Sequence, residues 1–191
     1  MPYSFSFVAG SLMVSESLKC AALYAQYGDW QQVKTRLLTE NDLQKSRRAT
    51  IIRQVQEIRK RLENLDEREL DLLRQSDVNQ AAQLLFLATL RTYAFITDFM
   101  VQVIYPKLQV LDDKLLDSDY TTFVRDKELS YPELASLSAT SKAKVKQVVY
   151  RILYETGILD KKTLKLSRPV LNEAVAAGIS SEQIQRAFLI V

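Results

Sequence analysis

Histidine is absent from this chain, cysteine occurs once, and glycine and proline occur four times each in 191 residues. Without histidine there is no Ser/His/Asp or Cys/His relay, no imidazole-ligated metal, and no imidazole acid or base. A lone Cys20 forms neither an internal disulfide nor a four-cysteine zinc site, and in the run Leu18 to Leu23 it reads as a small core residue in a reducing compartment. So few turn formers cannot build a many-stranded β protein. With 47% hydrophobic residues and an abundance of Ala, Leu, Gln, Lys, Arg and Glu, the chain reads as all-α, with core enough for one large domain or two small ones. These absences remove much enzymology, and no cofactor, metal or small-molecule substrate is expected.

A targeting segment is also missing from the expected pattern. Met1 to Leu12 has no basic region ahead of its short apolar stretch. The most apolar region, Val78 to Tyr105, carries Arg91 and Asp98, each costing roughly 2.5–3.5 kcal/mol at the centre of a membrane helix. It reads as a buried helix pair, and the protein as cytoplasmic with no membrane partner.

Caps and periodicity mark the helices. Ser15 or Ser17 is expected to cap a first helix ending at Tyr27, and Gly28-Asp29 to close it and open a second from Trp30. Ile51, Val55, Ile58 and Leu62 give one face of a third helix, expected from Ser46 to about Asn64. Asp66 and Asp77 cap a fourth and fifth, and a sixth runs through Tyr93 to Ile104 until Pro106 stops it. The texture changes near 106–117, a candidate division between a helical bundle (1–106) and a C-terminal module (107–191), with packing of the two as one compact unit left open.

Positive charge is concentrated in two stretches. Residues 45 to 62 hold seven basic residues against Glu57, and residues 138 to 168 hold eight against Glu155 and Asp160, whereas 107 to 133 is net acidic. This is the footprint of a polyanion-binding surface. In the C-terminal stretch a short helix from about 133 to 137, a turn at Ser138-Ala139-Thr140, a helix from Ser141 to Thr156 and a strand-like Gly157-Ile158-Leu159 follow the order of a winged helix-turn-helix. Val145, Val148, Val149, Ile152 and Leu153 form a core stripe, which turns Ala143, Gln147, Arg151 and Tyr154 outward with Lys144 and Lys146 on the shoulders. Gln147 and Arg151 suit base edges, while Lys142, Lys144, Lys146 and the wing residues Lys161, Lys162 and Lys165 suit phosphates. A solubilising lysine face on an ordinary helix is the competing reading.

Around the third helix start, Lys45, Arg47 and Arg48 oppose the helix dipole at a cost of about 0.3–1 kcal/mol each where exposed. With free backbone N–H groups they would form a phosphate site, extended by Arg53 and Lys60 and diluted by Glu57. Neutralisation by Glu40 and Asp42 is the alternative. Asp112, Asp113, Asp117 and Asp119 match no Ca²⁺-loop spacing, and Tyr24, Tyr27 and Trp30 read as packing around the first hairpin rather than as a stacking platform.

The order of several short segments resembles the BrxA family of bacterial BREX phage-defence systems. They are Tyr3-Ser4-Phe5-Ser6-Phe7-Val8-Ala9-Gly10, Glu16-Ser17, Asp29-Trp30, Asn41, Arg59-Lys60-Arg61-Leu62, Arg91, Asp98-Phe99 and the Thr140 to Leu159 segment. The resemblance implies a non-enzymatic, all-helical DNA-binding protein whose N-terminal bundle is similar to that of the antitermination factor NusB. It also implies double-stranded DNA as a partner and, beside it, other BREX proteins: a methyltransferase and ATPases. The residues leave two other functions open, a helical protein–protein adaptor and an RNA-binding antitermination-like factor.

Overall fold

The structure, a computed structural model, describes residues 2–40, 43 and 47–190. A 3-10 turn at Ser6–Ala9 precedes α1 (Val14–Tyr27), α2 (Trp30–Glu40), α3 (Arg48–Leu62), α4 (Glu67–Gln75) and α5 (Val78–Thr92). Next, α6 (Ala94–Phe99) passes through a π turn at Met100–Ile104 into α7 (Tyr105–Gln109). The chain continues through α8 (Asp117–Glu128), α9 (Pro132–Ala135), α10 (Ala139–Glu155), α11 (Glu173–Ala176) and α12 (Glu182–Ala187). β pairing among the described residues is confined to two antiparallel bridges, Lys114 with Lys165 and Leu159 with Leu166. The fold is mainly helical, as the composition predicts.

Several helix ends follow local chemistry. Gly28 closes α1 in the left-handed conformation, Asp66 and Glu69 form a reciprocal capping box on α4, and Asp77 accepts from Gln80 N to open α5. Three depart from expectation. The cap of α1 is Met13, left-handed at φ 53°, not Ser15 or Ser17; its side chain fills the space a Cβ on Gly10 would occupy, and Ser17 is buried. Pro106 does not stop the sixth helix, because the π turn just before it widens the coil where the ring meets the preceding carbonyls. Helix α10 starts at Ala139, since Ser138 Oγ accepts from Ser141 N at 3.1 Å and draws the expected turn into the helix. Ser46, the expected start of α3, lies outside the described residues; α3 runs from Arg48, after an Arg47 cap whose side chain makes no capping bond.

Helix α5 is central, with an unbroken buried run from Leu84 to Leu90. One apolar cluster extends from Tyr3 to Leu189, so residues beyond 106 share a core with the bundle: α12 packs on α5, α6 and the π turn. No single helix among the described residues is long and apolar enough to cross a membrane, and the apolar pair α5 and 94–109 meets at 103°. Their charges are satisfied internally: Arg91 binds Glu69 through two bonds of 2.6 and 2.9 Å, and Asp98 accepts from Lys127 at 2.9 Å and Tyr3 Oη at 2.5 Å. Cys20 is fully buried, and burial pushes its thiol up to about 12.

Candidate nucleic-acid interface

The stripe Val145, Val148, Val149, Ile152 and Leu153 buries α10 against the core, so the opposite face is left to solvent. Ala143, Lys144, Gln147 and Arg151 are exposed there, whereas Tyr154, expected outward, is half-buried and its phenol is pushed up by burial. Lys144 Nζ donates to Gln147 Oε1 at 3.0 Å, which pre-positions the pair one turn apart on that face. Next to α10, the segment 158–167 folds back on itself. Asp160 N donates to Lys165 O, Ser167 N donates to Ile158 O, and Asp160 Oδ1 accepts from Lys162 N, Thr163 N and Thr163 Oγ1 to tie the tip. Those bonds, the Thr163 amide first, hold the Asp160 carboxyl below the usual carboxylate range.

Acids, most of them from outside the basic stretch, hold much of the cationic surface. Lys142 pairs with Glu128 at 2.7 Å, Lys165 with Asp113 at 3.3 Å and Arg151 with Glu155 at 3.0 Å. Lys146 pairs with Asp117 and sits over the rings of Tyr120 and Tyr150, 5.4 and 5.5 Å from their centroids. The acidic stretch is thus an internal counter-charge, and no group of three or more acidic or thiol ligands suited to a metal occurs among the described residues. Lys161 and Lys162, at the tip of the folded-back segment, are exposed and form no ion pair among the described residues.

On α3 the picture differs from the charge count. Glu57 and Arg61 are 3% and 1% exposed, paired at 2.8 Å, with Tyr93 Oη donating to Glu57 at 2.6 Å. Arg61 also donates to the carbonyls of Gly10 and Ser11. Glu57 therefore dilutes no surface charge; the pair clamps the N-terminal segment. Lys60 is drawn in as well, donating to Ser4 Oγ and Ser6 Oγ at 3.1 and 3.3 Å over the Tyr93 ring. Arg47, Arg48 and Arg53 are exposed and form no ion pair among the described residues, and Glu40 pairs with Arg36 instead. Lys45 and Asp42 lie outside the described residues.

The two basic stretches meet over the Ser6–Ala9 turn, which packs on both α3 and α10. On one side Arg53 and Lys60 border a hollow of about 340 Å³; on the other, Lys144, Gln147 and Arg151 border a cleft of about 520 Å³. The cleft was not visible in the sequence, because its walls come from residues 8–16, α3, α5 and α10. Only the Arg151–Glu155 spacing, i to i+4, signalled one of its contacts.

Against known proteins, the BrxA family profile matches residues 1–183. A "BREX protein BrxA" of Escherichia coli O9:H4 (strain HS) is 30% identical over 153 residues, covering 80% of this chain and 72% of the relative. Proteins of the same name from Bacillus cereus (strain H3081.97) and Paramagnetospirillum magneticum are each 26% identical, covering 78% and 86% of this chain and 75% and 83% of their own. The crystal structure of an uncharacterized protein from Magnetospirillum magneticum superimposes with a TM-score of 0.85 at 23% identity, over 100% of this chain and 98% of that one.

Proposed function

The chain belongs to the BrxA family, and from that premise we propose that it is a non-enzymatic component of a BREX phage-defence system that binds double-stranded DNA, chiefly through phosphates. The observation that carries this is the exposed face of α10, Ala143–Lys144–Gln147, which bears no acid of its own, together with the exposed tip lysines Lys161 and Lys162, which form no ion pair among the described residues. In this reading α9 and α10 are the helix-turn-helix, the bridged segment 158–167 is the wing, and α1 to α7 form the NusB-like bundle. Gln147 reads a base edge while Lys144, Lys161 and Lys162 neutralise phosphates. Its role is positioning and recruitment of other BREX proteins, without chemistry of its own.

Fluorescence anisotropy with a short labelled duplex and an RNA of equal length, across a salt series, tests the reading. Duplex binding should weaken with salt at a log–log slope of about −0.9 per phosphate neutralised. Preference for RNA would favour an antitermination-like factor. No binding of either at low salt would favour a protein adaptor, for which Leu111 and Leu129, 89% and 86% exposed, offer apolar contacts.

A further inference from the structure

We propose that the cleft between α10 and the N-terminal segment binds a nucleobase carrying a phosphate, supplied either as a free mononucleotide or as an unpaired nucleotide of a bound strand. Its volume, about 520 Å³, is that of a small-molecule site, and it lies where four separate parts of the chain converge. The free-ligand form stands without the duplex-binding reading; the unpaired-nucleotide form rests on it.

The side chains around the cleft have unfilled hydrogen-bonding capacity. Gln54 of α3 lines it, and its Oε1 is buried with no hydrogen-bond partner, a state that folded proteins seldom leave unanswered. Gln147 of α10 uses its Oε1 to accept from Lys144, which leaves its amide N–H groups without a partner. Asn79 in the first turn of α5 is exposed and its side chain makes no hydrogen bond among the described residues. Three primary amides on three helices present donors and acceptors together, which is how side chains bracket the edge of a base.

Charge narrows the ligand further. Two carboxylates border the cleft, Glu16 and Glu155, and the oxygens of Glu155 are taken: Oε1 accepts from Ser11 Oγ at 2.7 Å and Arg151 Nε at 3.0 Å, and Oε2 from Leu12 N at 2.9 Å. Lys144 makes no ion pair among the described residues and stands at the same border. A fully ionised phosphate ester group, which only accepts, leaves Gln54 Oε1 unanswered, and an aliphatic ligand leaves all three amides so. A base with ring or amino N–H groups and an attached phosphate satisfies both sets.

The test uses the full chain. Calorimetric titration with the four ribonucleoside 5′-monophosphates is compared with ribose 5-phosphate, and anisotropy compares a fully paired duplex with one carrying a single unpaired nucleotide. At least one monophosphate should bind saturably, at least tenfold tighter than ribose 5-phosphate, or the unpaired duplex should bind tighter than the paired one; which of these occurs identifies the source. Gln54→Leu should weaken that binding about tenfold, the loss of one hydrogen bond to a buried acceptor. Asn79→Ala, on an exposed first turn, should weaken it with no change in thermal midpoint, so the proposal is testable even where Gln54→Leu unfolds the chain. Monophosphate binding without any duplex binding would sink the duplex reading and leave the site standing. No response to base in either arm, or a response untouched by Asn79→Ala, overturns the site whatever the duplex result.

Discussion

Neutralising the acids that hold the C-terminal lysines should tighten DNA binding. Glu128, Asp117 and Asp113 pair with Lys142, Lys146 and Lys165, so in the proposed duplex complex each lysine would exchange a carboxylate for a phosphate. Exposed pairs of this kind are worth about 0.2–1 kcal/mol, and three at the middle of that range sum to roughly 1.8 kcal/mol, about twentyfold in affinity. The salt dependence should change with it. When a lysine leaves a carboxylate for a phosphate, the DNA releases a counterion and the freed carboxylate recruits one; the neutral variant lacks the second event, so its log–log slope steepens. The triple variant Asp113→Asn, Asp117→Asn, Glu128→Gln, titrated by anisotropy beside the parent chain from low to physiological salt, measures both effects. Unchanged affinity and slope would mean that Lys142, Lys146 and Lys165 stay closed on their acids or lie off the footprint, and would remove them from the interface.

Lys144→Glu should abolish most duplex binding without moving the thermal midpoint, whereas Lys146→Glu should lower stability by about 1 kcal/mol, since it places an acid against Asp117 and removes a cation from two rings; thermal melts beside binding curves separate the two. Arg61→Leu strands Glu57 in the core and should cost about 3–5 kcal/mol of unfolding free energy in urea titrations. The Asp160 carboxyl should titrate below ordinary carboxylates by NMR; because its folded pKa is depressed, the tip's stabilisation is present above the unfolded pKa and is lost as pH falls through the folded one. Cys20, with its thiol raised to about 12, should resist alkylation at neutral pH until the chain unfolds, as mass spectrometry across a denaturant series would show.

What the sequence made legible was whatever a single helix determines. The stripe of α3, the caps at Asp66 and Asp77, the Gly28 stop and the core face of α10 each depend on residues within a few turns of one another. What stayed hidden depends on distant partners. Glu57 and Arg61, four apart, look like an exposed helix pair, and nothing local reveals that the carbonyls of Gly10 and Ser11 complete their shell. Met13 takes a strained cap position because Gly10 leaves room for its side chain, and Pro106 is accommodated by a π turn that no periodicity announces. The counter-charges on Lys142, Lys146 and Lys165 escaped for the same reason, since charge totals by stretch cannot say which stretches touch.

Whether α3 belongs to the proposed DNA footprint turns on the Ser6–Ala9 turn. A fragment comparison cannot decide it, because residues beyond 106 complete the bundle core and Glu155 is bonded to Ser11 and Leu12, so substitutions in the full chain are needed. Arg53 borders the turn from the α3 side as Lys144 and Arg151 do from the α10 side. Arg48 lies five residues before Arg53, about 7.5 Å further along the helix at 1.5 Å per residue, roughly one Debye length at physiological salt. A duplex that crosses the turn should therefore lose about one unit of salt slope with Arg53→Ala and less with Arg47→Ala and Arg48→Ala together. Lys161→Ala with Lys162→Ala should remove close to two units. If Arg53→Ala changes nothing while the tip substitutions have their full effect, the footprint ends at α10, and the exposed arginines of α3 need another partner.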